Sequence, residues 1–177
     1  FITKILIEDF KINKKINFVK FITSRFKKIF PSLFFITFIV LVISTVFIPK
    51  NYLIETANYS IYSTLFATNF YAWLTSGYFE TDIILKPLIH TWTLGVEMFF
   101  YLFWLILFII IIKLERIKRI LIVLFFLSLS FLLTFLFNES HAMTFYLAPF
   151  RVFEFALGFF ADEFIKKNLD LKKNILI

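Results

Sequence analysis

The segment IFPSLFFITFIVLVISTVFIP, residues 29–49, decides the fold class. It contains no charged side chain, with Lys28 before it and Lys50 after it. A helix needs roughly 20 apolar residues to cross the hydrocarbon core of a bilayer, so the segment predicts a transmembrane helix. Pro31 lies near its start, where a missing N–H costs least. Residues 90–112 and 120–138 are similarly long and apolar, and each predicts another span.

The composition of the whole chain points to helices in a membrane. Of the 177 residues, 60% are hydrophobic, whereas soluble domains are usually about 45–50% apolar. Long apolar segments with only 3 Gly and 4 Pro favour helices over the short alternating strands of a membrane barrel. We therefore predict an all-α integral membrane protein, a multi-spanning bundle with about four to five transmembrane helices.

Charge and residue usage exclude several classes of site. The chain has no Cys, so it has no disulfide, thiol nucleophile or Cys-ligated metal. The two histidines lack metal-ligand spacing, and we expect neither a metal nor a bound cofactor. The net charge is +7, but the basic residues flank apolar segments. This placement favours the lipid bilayer, rather than nucleic acid, as the partner.

The distribution of Lys and Arg predicts the topology. Residues 1–30 hold eight basic and two acidic side chains. Because cytoplasmic loops are enriched in Lys and Arg, we place 1–30, 113–119 and 162–177 in the cytoplasm. This assignment leaves no room for one full crossing at 56–79, an uncharged but polar segment. We expect 56–79 to be buried among other helices or to be re-entrant, and the charge distribution favours a re-entrant segment. The alternative is a full crossing that breaks the charge rule at one loop.

The segment KPLIHTWTLGVEMFFY, residues 86–101, carries the main chemical pattern. On a helix that begins at its proline, His90, Thr93, Glu97 and Tyr101 share one face. Such a polar face is costly inside a membrane unless it is used or paired. It could handle protons or orient a substrate, or it could form hydrogen bonds between helices.

The sequence HTWTLGVEMFFYL, residues 90–102, resembles the HTWSLxVEEQFYL signature of the acyltransferase-3 family. That family comprises bacterial membrane O-acyltransferases that modify cell-envelope polysaccharides. Other similarities follow in the family's order and cover nearly the whole chain: residues 1–3 resemble the GFLIT helix end, 25–31 the RxxRIxP element, Asn69 with Tyr78 and Phe79 the Asn…YF segment, and 151–158 the RxWELxxG element.

The chain departs from the family pattern at several positions. Lys28 stands where the family has the second Arg of RxxR, which keeps the charge but loses the planar fork suited to phosphate. Thr93 replaces Ser and keeps the hydroxyl. Met98 and Phe99 replace Glu and Gln, and Phe153 replaces Trp.

The resemblance implies an O-acyltransferase, most simply an O-acetyltransferase, in the bacterial cytoplasmic membrane. The donor would be acyl-coenzyme A (acetyl-coenzyme A), and the acceptor a hydroxyl of an envelope glycan such as lipopolysaccharide. Arg25 and Lys28 would bind the donor's phosphates. From the residues alone, they could equally be topology anchors. His90, Thr93 and Glu97 would form the catalytic set, with Tyr101 and Asn69 in support.

Two charged residues near the C-terminal end of the chain have a structural explanation. Arg151 and Glu154 are three residues apart, so on a helix they can neutralise each other inside the membrane without a substrate. We also expect His141, in a short outer loop, to be solvated.

The chain begins at Phe1 instead of Met, and the resemblance implies a preceding first helix with an essential histidine. We therefore expect residues 1–177 to be a partial membrane acyltransferase domain, truncated at both ends and inactive alone. An inactive truncated product is one alternative. A transporter or flippase-like protein is the other, because intramembrane Arg, Glu and His also suit a polar translocation path.

Overall fold

The computed structural model describes residues 2–76 and 86–161, and in these two ranges all regular structure is helical. This confirms the all-α prediction. Short 3₁₀ turns at Ile89–Thr91 and Ala148–Phe150 connect some of the helices. The α-helices are α1 (Ile2–Asn13), α2 (Phe18–Phe47), α3 (Lys50–Thr64), α4 (Thr68–Thr75), α5 (Trp92–Ile111), α6 (Arg116–Leu136), α7 (His141–Tyr146) and α8 (Val152–Ala161).

Three helices in the described ranges are long and apolar enough to cross a membrane. They are α2, α5 with its preceding turn, and α6, and they coincide with the three segments predicted as spans except for the last one or two residues of each segment. The helix α8 is apolar but shorter. Together with the all-helical architecture, these helices identify a membrane protein.

The helix α2 begins earlier than the sequence suggested. It starts at Phe18, where the side chain of Asn17 accepts a 3.0 Å hydrogen bond from the Lys20 amide and caps the helix. Pro31 therefore lies inside α2 and not near its start. The amphipathic residues before the apolar segment continue the helix because Phe21 and Arg25 are buried against the bundle.

The polar segment predicted as re-entrant folds into a helical hairpin, α3 and α4. The break is at Phe66, which has φ 56° and occupies the left-handed position that usually ends a helix. The Ala67 amide closes the cap with a 2.8 Å hydrogen bond to the Tyr62 carbonyl. Tyr71 of α4 stacks on Tyr62 of α3 at 4.5 Å. The chain therefore reverses direction at Phe66. The re-entrant path of 56–79 through a membrane stays a prediction, and residues 77–79 lie outside the described residues.

The helices α5 and α6 run antiparallel and form the centre of the largest core cluster. Phe103 of α5 meets Phe126 of α6 edge to face, with ring centroids 5.3 Å apart. Leu105 is fully buried in this cluster, together with Leu6 of α1 and Ala156 of α8. Large buried side chains thus hold the C-terminal half of α5 among α1, α6 and α8.

Two hydroxyls of α6 satisfy the irregular backbone between α7 and α8. Ser130 Oγ donates to the Pro149 carbonyl at 2.7 Å, and Thr134 Oγ1 donates to the Phe150 carbonyl at 2.9 Å. Ser130 Oγ also accepts from the Phe153 amide at 3.2 Å. A break in a helix can exist at membrane depth only when other groups bond the freed backbone.

Gly95 allows α4 to approach α5 closely. A Cβ added at Gly95 would lie 2.5 Å from Asn69 Oδ1 and 2.8 Å from the Phe66 carbonyl oxygen. One of these obstacles is backbone, which cannot move as a flexible side chain can. The tip of the α3–α4 hairpin therefore packs directly against Gly95, the residue of this turn of α5 that has no side chain.

We predict that Gly95→Ala destabilises the protein by about 1–3 kcal/mol, the usual cost of overpacking a close contact. The matched control is Gly158→Ala in α8, where an added Cβ meets nothing within 4 Å. Thermal unfolding of the purified protein in detergent is the measurement. Gly95→Ala should unfold at a lower temperature than both the wild type and Gly158→Ala. Equal unfolding temperatures for the two variants would contradict the close approach.

Candidate functional site

A buried cation of α2 meets the polar face of α5. The Arg25 guanidinium lies 5.7 Å from the Tyr101 ring centroid and 5.2 Å from that of Phe21, and Arg25 is only 9% exposed. The Tyr101 hydroxyl donates a hydrogen bond to Glu97 Oε1, one turn earlier on α5. Arg25, Tyr101 and Glu97 therefore form one group, which we call the Arg–Tyr–Glu cluster.

Local helix geometry explains both halves of the Arg–Tyr–Glu cluster. Phe21 and Arg25 are four residues apart on α2, and Glu97 and Tyr101 are four apart on α5, so each pair lies on one face of its helix. Aromatic faces within about 6 Å attract a cation, and the effect grows when water is excluded. The phenol of Tyr101 thus has a carboxylate on one side and a guanidinium near its ring.

Lys28 does not share the environment of Arg25. Its side chain is exposed, whereas Arg25 is buried one turn earlier on the same helix. The two residues predicted to act together on a donor therefore contribute differently. Arg25 belongs to the interior cluster, and Lys28 adds a positive charge at the protein's surface.

His90 and Thr93 lie apart from the buried end of the predicted polar face. The helix α5 begins at Trp92 and not at Pro87, because hydrogen bonds from the Ile89 amide to Lys86 O and from the Thr91 amide to Leu88 O form a tight 3₁₀ turn. His90 lies in that turn and is exposed. Thr93 is also exposed, and its hydroxyl donates to the His90 carbonyl at 3.0 Å. Of the four residues on the predicted face, only Glu97 and Tyr101 are linked by a hydrogen bond between their side chains.

Three hydroxyls that the sequence analysis did not single out fix the start of α5. Ser63 Oγ lies 2.6 Å from Thr91 Oγ1 and 3.2 Å from Thr68 Oγ1, and the two threonine hydroxyls are 3.0 Å apart. Ser63 and Thr68 are almost fully buried, as expected for the polar segment. The hydroxyl group links both helices of the hairpin to the turn that carries His90. Their sequence signal is only that the segment is rich in Ser and Thr.

An ion pair between Lys86 and Glu55 also holds the entry to α5. Lys86 Nζ lies 3.3 Å from Glu55 Oε1, and the Lys86 side chain is only 2% exposed. The sequence did not predict this pair, because the two residues are distant in the chain. The pair fixes the segment before His90 against α3, since separating the two groups would leave a buried side chain without its partner.

Arg151 and Glu154 form the ion pair that their spacing suggested. Arg151 Nη1 lies 3.1 and 3.2 Å from the two carboxylate oxygens of Glu154. Arg151 Nε also donates to the Phe145 carbonyl at 2.9 Å, and the guanidinium lies over the rings of Trp92 and Phe145 at 4.9 and 5.0 Å. Arg151 and Glu154 therefore do more than neutralise each other. Through Arg151, the pair links α7 and α8 to Trp92, the first residue of α5.

Asn69 is fully buried where α4 meets Gly95. Neither its amide oxygen nor its amide nitrogen has a hydrogen-bond partner in the described ranges. Tyr78 and Phe79, which the family pattern groups with Asn69, lie outside those ranges. The structure thus places Asn69 beside the polar segment of α5 without joining it to the Arg–Tyr–Glu cluster.

An open cleft of about 950 Å³ lies where α7, α8 and the Leu136 end of α6 meet. The basic turn at 113–119, which the charge distribution predicts to be cytoplasmic, is at the opposite end of α6. We therefore call this cleft the outer cleft. Its described lining includes Glu139, His141 and Glu154. Across residues 2–76 and 86–161, no three His, Asp or Glu side chains gather as metal ligands.

Comparison with known proteins supports the sequence pattern. A family model for the acyltransferase domain of the acyltransferase-3 family matches residues 2–177. An uncharacterized protein of Haemophilus influenzae (strain ATCC 51907 / DSM 11121 / KW20 / Rd) is 34% identical over 138 residues, which cover 73% of this chain. The chain spans about half, 54%, of the length of that curated relative. No solved structure matches the chain. Because the family match extends over residues 2–177, the chain belongs to the acyltransferase-3 family.

Proposed function

We propose that this protein is a membrane O-acyltransferase that moves an acyl group, most simply acetyl, from acyl-coenzyme A to a hydroxyl of a cell-envelope glycan. Membership of the acyltransferase-3 family supports an acyltransferase in general. The observation that carries the proposal is the Arg–Tyr–Glu cluster, a buried cation beside a phenol and a carboxylate. The location that fits this role is the bacterial cytoplasmic membrane, with several spans.

Arg25 is the proposed donor-binding residue. Coenzyme A carries several phosphate charges, and a guanidinium offers a planar fork of donors that matches phosphate oxygens. Charge-assisted hydrogen bonds of this kind are roughly twice as strong as neutral ones, and burial strengthens them further. Lys28, exposed near the same end of α2, would add a longer-range attraction for the donor.

The polar residues of α5 have proposed roles in the transfer step. The acceptor hydroxyl loses its proton to a base, its oxygen attacks the thioester carbonyl carbon, and the C–S bond breaks. Coenzyme A then leaves as a thiol after receiving a proton. An imidazole suits both proton transfers near neutral pH, and the essential histidine of the family's first helix would be this base. His90, exposed in the turn before α5, would orient the acceptor or that histidine. Thr93 would hydrogen-bond the acceptor, while Glu97 would orient the reacting groups.

The two ends of the bundle suit the two substrates. The basic residues of α2 and of the turn at 113–119 gather at the end predicted to be cytoplasmic, where acyl-coenzyme A is available. The outer cleft lies at the other end of α6. A transfer site among the buried polar residues of α5 would lie between these two ends.

We predict that Glu97→Gln lowers acyl transfer by about 100-fold or more, within the range usual for a positioned acid–base group. Gln can still accept the Tyr101 hydrogen bond, so the fold should survive. The measurement is transfer of label from radioactive acetyl-coenzyme A to envelope glycan, in membranes that contain the intact protein.

The matched control for that test is Glu115→Gln, which removes an exposed carboxylate at the start of α6. It should leave transfer unchanged. Unchanged transfer in Glu97→Gln would remove Glu97 from the site. If the wild type transferred no label from acetyl-coenzyme A or a longer acyl-coenzyme A, the acyltransferase proposal would fail.

We predict that Arg25→Ala raises the apparent KM for the donor about tenfold or more, the effect of losing one or more charged hydrogen bonds to phosphate. The KM for the acceptor should change much less. Lys28→Ala should raise the donor KM by a smaller factor, because Lys28 is exposed. Steady-state kinetics with each substrate varied in turn test this. A larger effect on the acceptor would refute donor binding by Arg25.

A further inference from the structure

The outer cleft is a concave surface to which the proposed function assigns no residue role. Its volume of about 950 Å³ is near the upper end of the ~300–1,000 Å³ typical of ligand pockets. Elements distant in the chain line it, from Ser76 after α4 to Glu154 in α8. A space of this size can hold a small oligosaccharide unit.

The chemistry of the lining suits a ligand with many hydroxyls. Carboxylates accept hydrogen bonds from hydroxyl groups, and the lining has Glu139 and Glu154. Hydroxyls can both donate and accept, and the lining has Ser76 and Thr144. The exposed ring of Phe145 adds an apolar face, which the C–H face of a sugar ring can cover.

The charge of the lining argues against a strongly anionic ligand. Arg151 is the one Lys or Arg among the described lining residues, and its guanidinium already contacts Glu154, the Phe145 carbonyl and two aromatic rings. Glu139 adds an exposed negative charge. A phosphate or carboxylate in the cleft would therefore meet carboxylates without an unengaged guanidinium to offset them.

The position of the cleft connects it to the residues of the proposed site. Trp92, the first residue of α5, lies under the Arg151 guanidinium and 4.8 Å from the Phe145 ring. His90, two residues before Trp92, and Thr93, the residue after it, are both exposed. A sugar held in the cleft would thus be next to the end of α5 that carries these two proposed site residues.

We infer that the outer cleft binds an uncharged, polyhydroxylated sugar unit of the acceptor, with Glu154, held by its ion pair with Arg151, accepting hydrogen bonds from the sugar's hydroxyls. The inference rests on the proposed function, since it names the class of acceptor for the same transfer. It also gives the Arg151–Glu154 pair a binding role beyond mutual neutralisation.

Direct binding of labelled oligosaccharides to the purified intact protein in lipid nanodiscs, without any acyl donor, tests this inference. The probes are the neutral sugars maltotetraose, cellotetraose and chitotetraose, with tetragalacturonate as the anionic comparison. Thr144→Trp should lower the affinity for the neutral sugar that binds by about tenfold or more, because the new ring fills the cleft. Glu154→Gln should lower it severalfold.

Two controls match those variants away from the cleft. Ile117→Trp adds the same ring at an exposed position near the basic end of α6, and Glu115→Gln removes an exposed carboxylate from another ion pair three residues apart. Both should bind the sugar as the wild type does. Three results would each overturn the inference: no saturable binding of any neutral probe, equal losses in variants and controls, or tighter binding of tetragalacturonate.

The same preparations, supplied with acetyl-coenzyme A, separate this inference from the proposed function. Sugar binding that depends on the cleft, without any acyl transfer, would support the cleft and refute the acyltransferase proposal. Acyl transfer that is insensitive to Thr144→Trp and Glu154→Gln would support the enzyme and refute the cleft as its acceptor site.

Discussion

A buried guanidinium constrains how the helices can pack. Arg25 lies inside an apolar bundle, where an isolated charge would be costly, so neighbouring groups must offset its lost hydration. Tyr101 and Phe21 present their rings to it, and Tyr101 is in turn bonded to Glu97. This requirement fixes α2 against the middle of α5. The same contacts place Arg25, the proposed donor-binding residue, close to a carboxylate on the helix with the family's main motif.

The helices around this cluster are interrupted at several points, and side chains form hydrogen bonds that stabilise these interruptions. The hairpin of α3 and α4 turns at Phe66, and the hydroxyls of Ser63, Thr68 and Thr91 join its tip to the start of α5. On the other side, Ser130 and Thr134 bond the irregular backbone before α8. Each break brings polar groups into the bundle and places one end of α5 at the meeting point of several elements. The fold therefore surrounds the start of α5 with irregular, polar structure.

Sequence patterns predicted those features that depend on local spacing. The apolar segments predicted the long helices α2, α5 and α6. The polarity of residues 56–79, together with the distribution of Lys and Arg along the chain, indicated that this segment folds back. The Glu97–Tyr101 and Arg151–Glu154 contacts followed from helix periodicity. Each of these depends on neighbours within about one turn of helix.

Features set by tertiary contacts could not be predicted in the same way. Pairing between Lys86 and Glu55 requires knowledge of how α3 packs, and the meeting of Arg25 with Tyr101 joins two distant helices. The start of α5 at Trp92 depends on a 3₁₀ turn held by Thr91, so the expected common face of His90 and Glu97 was interrupted. The start of α2 at Phe18 depends on a cap at Asn17 and on burial of Arg25. The hydropathy of residues 29–49 indicates neither the cap at Asn17 nor the burial of Arg25.

The most direct test of the Arg–Tyr–Glu cluster is a double-mutant cycle on donor binding. The affinity of the purified protein for acetyl-coenzyme A would be measured for the wild type, Arg25→Ala, Glu97→Gln and the double variant. Because Tyr101 links the two residues, the account predicts that their effects are not additive, with a coupling energy of about 0.5 kcal/mol or more. Additive effects would show that Arg25 and Glu97 act independently and would contradict a single cluster.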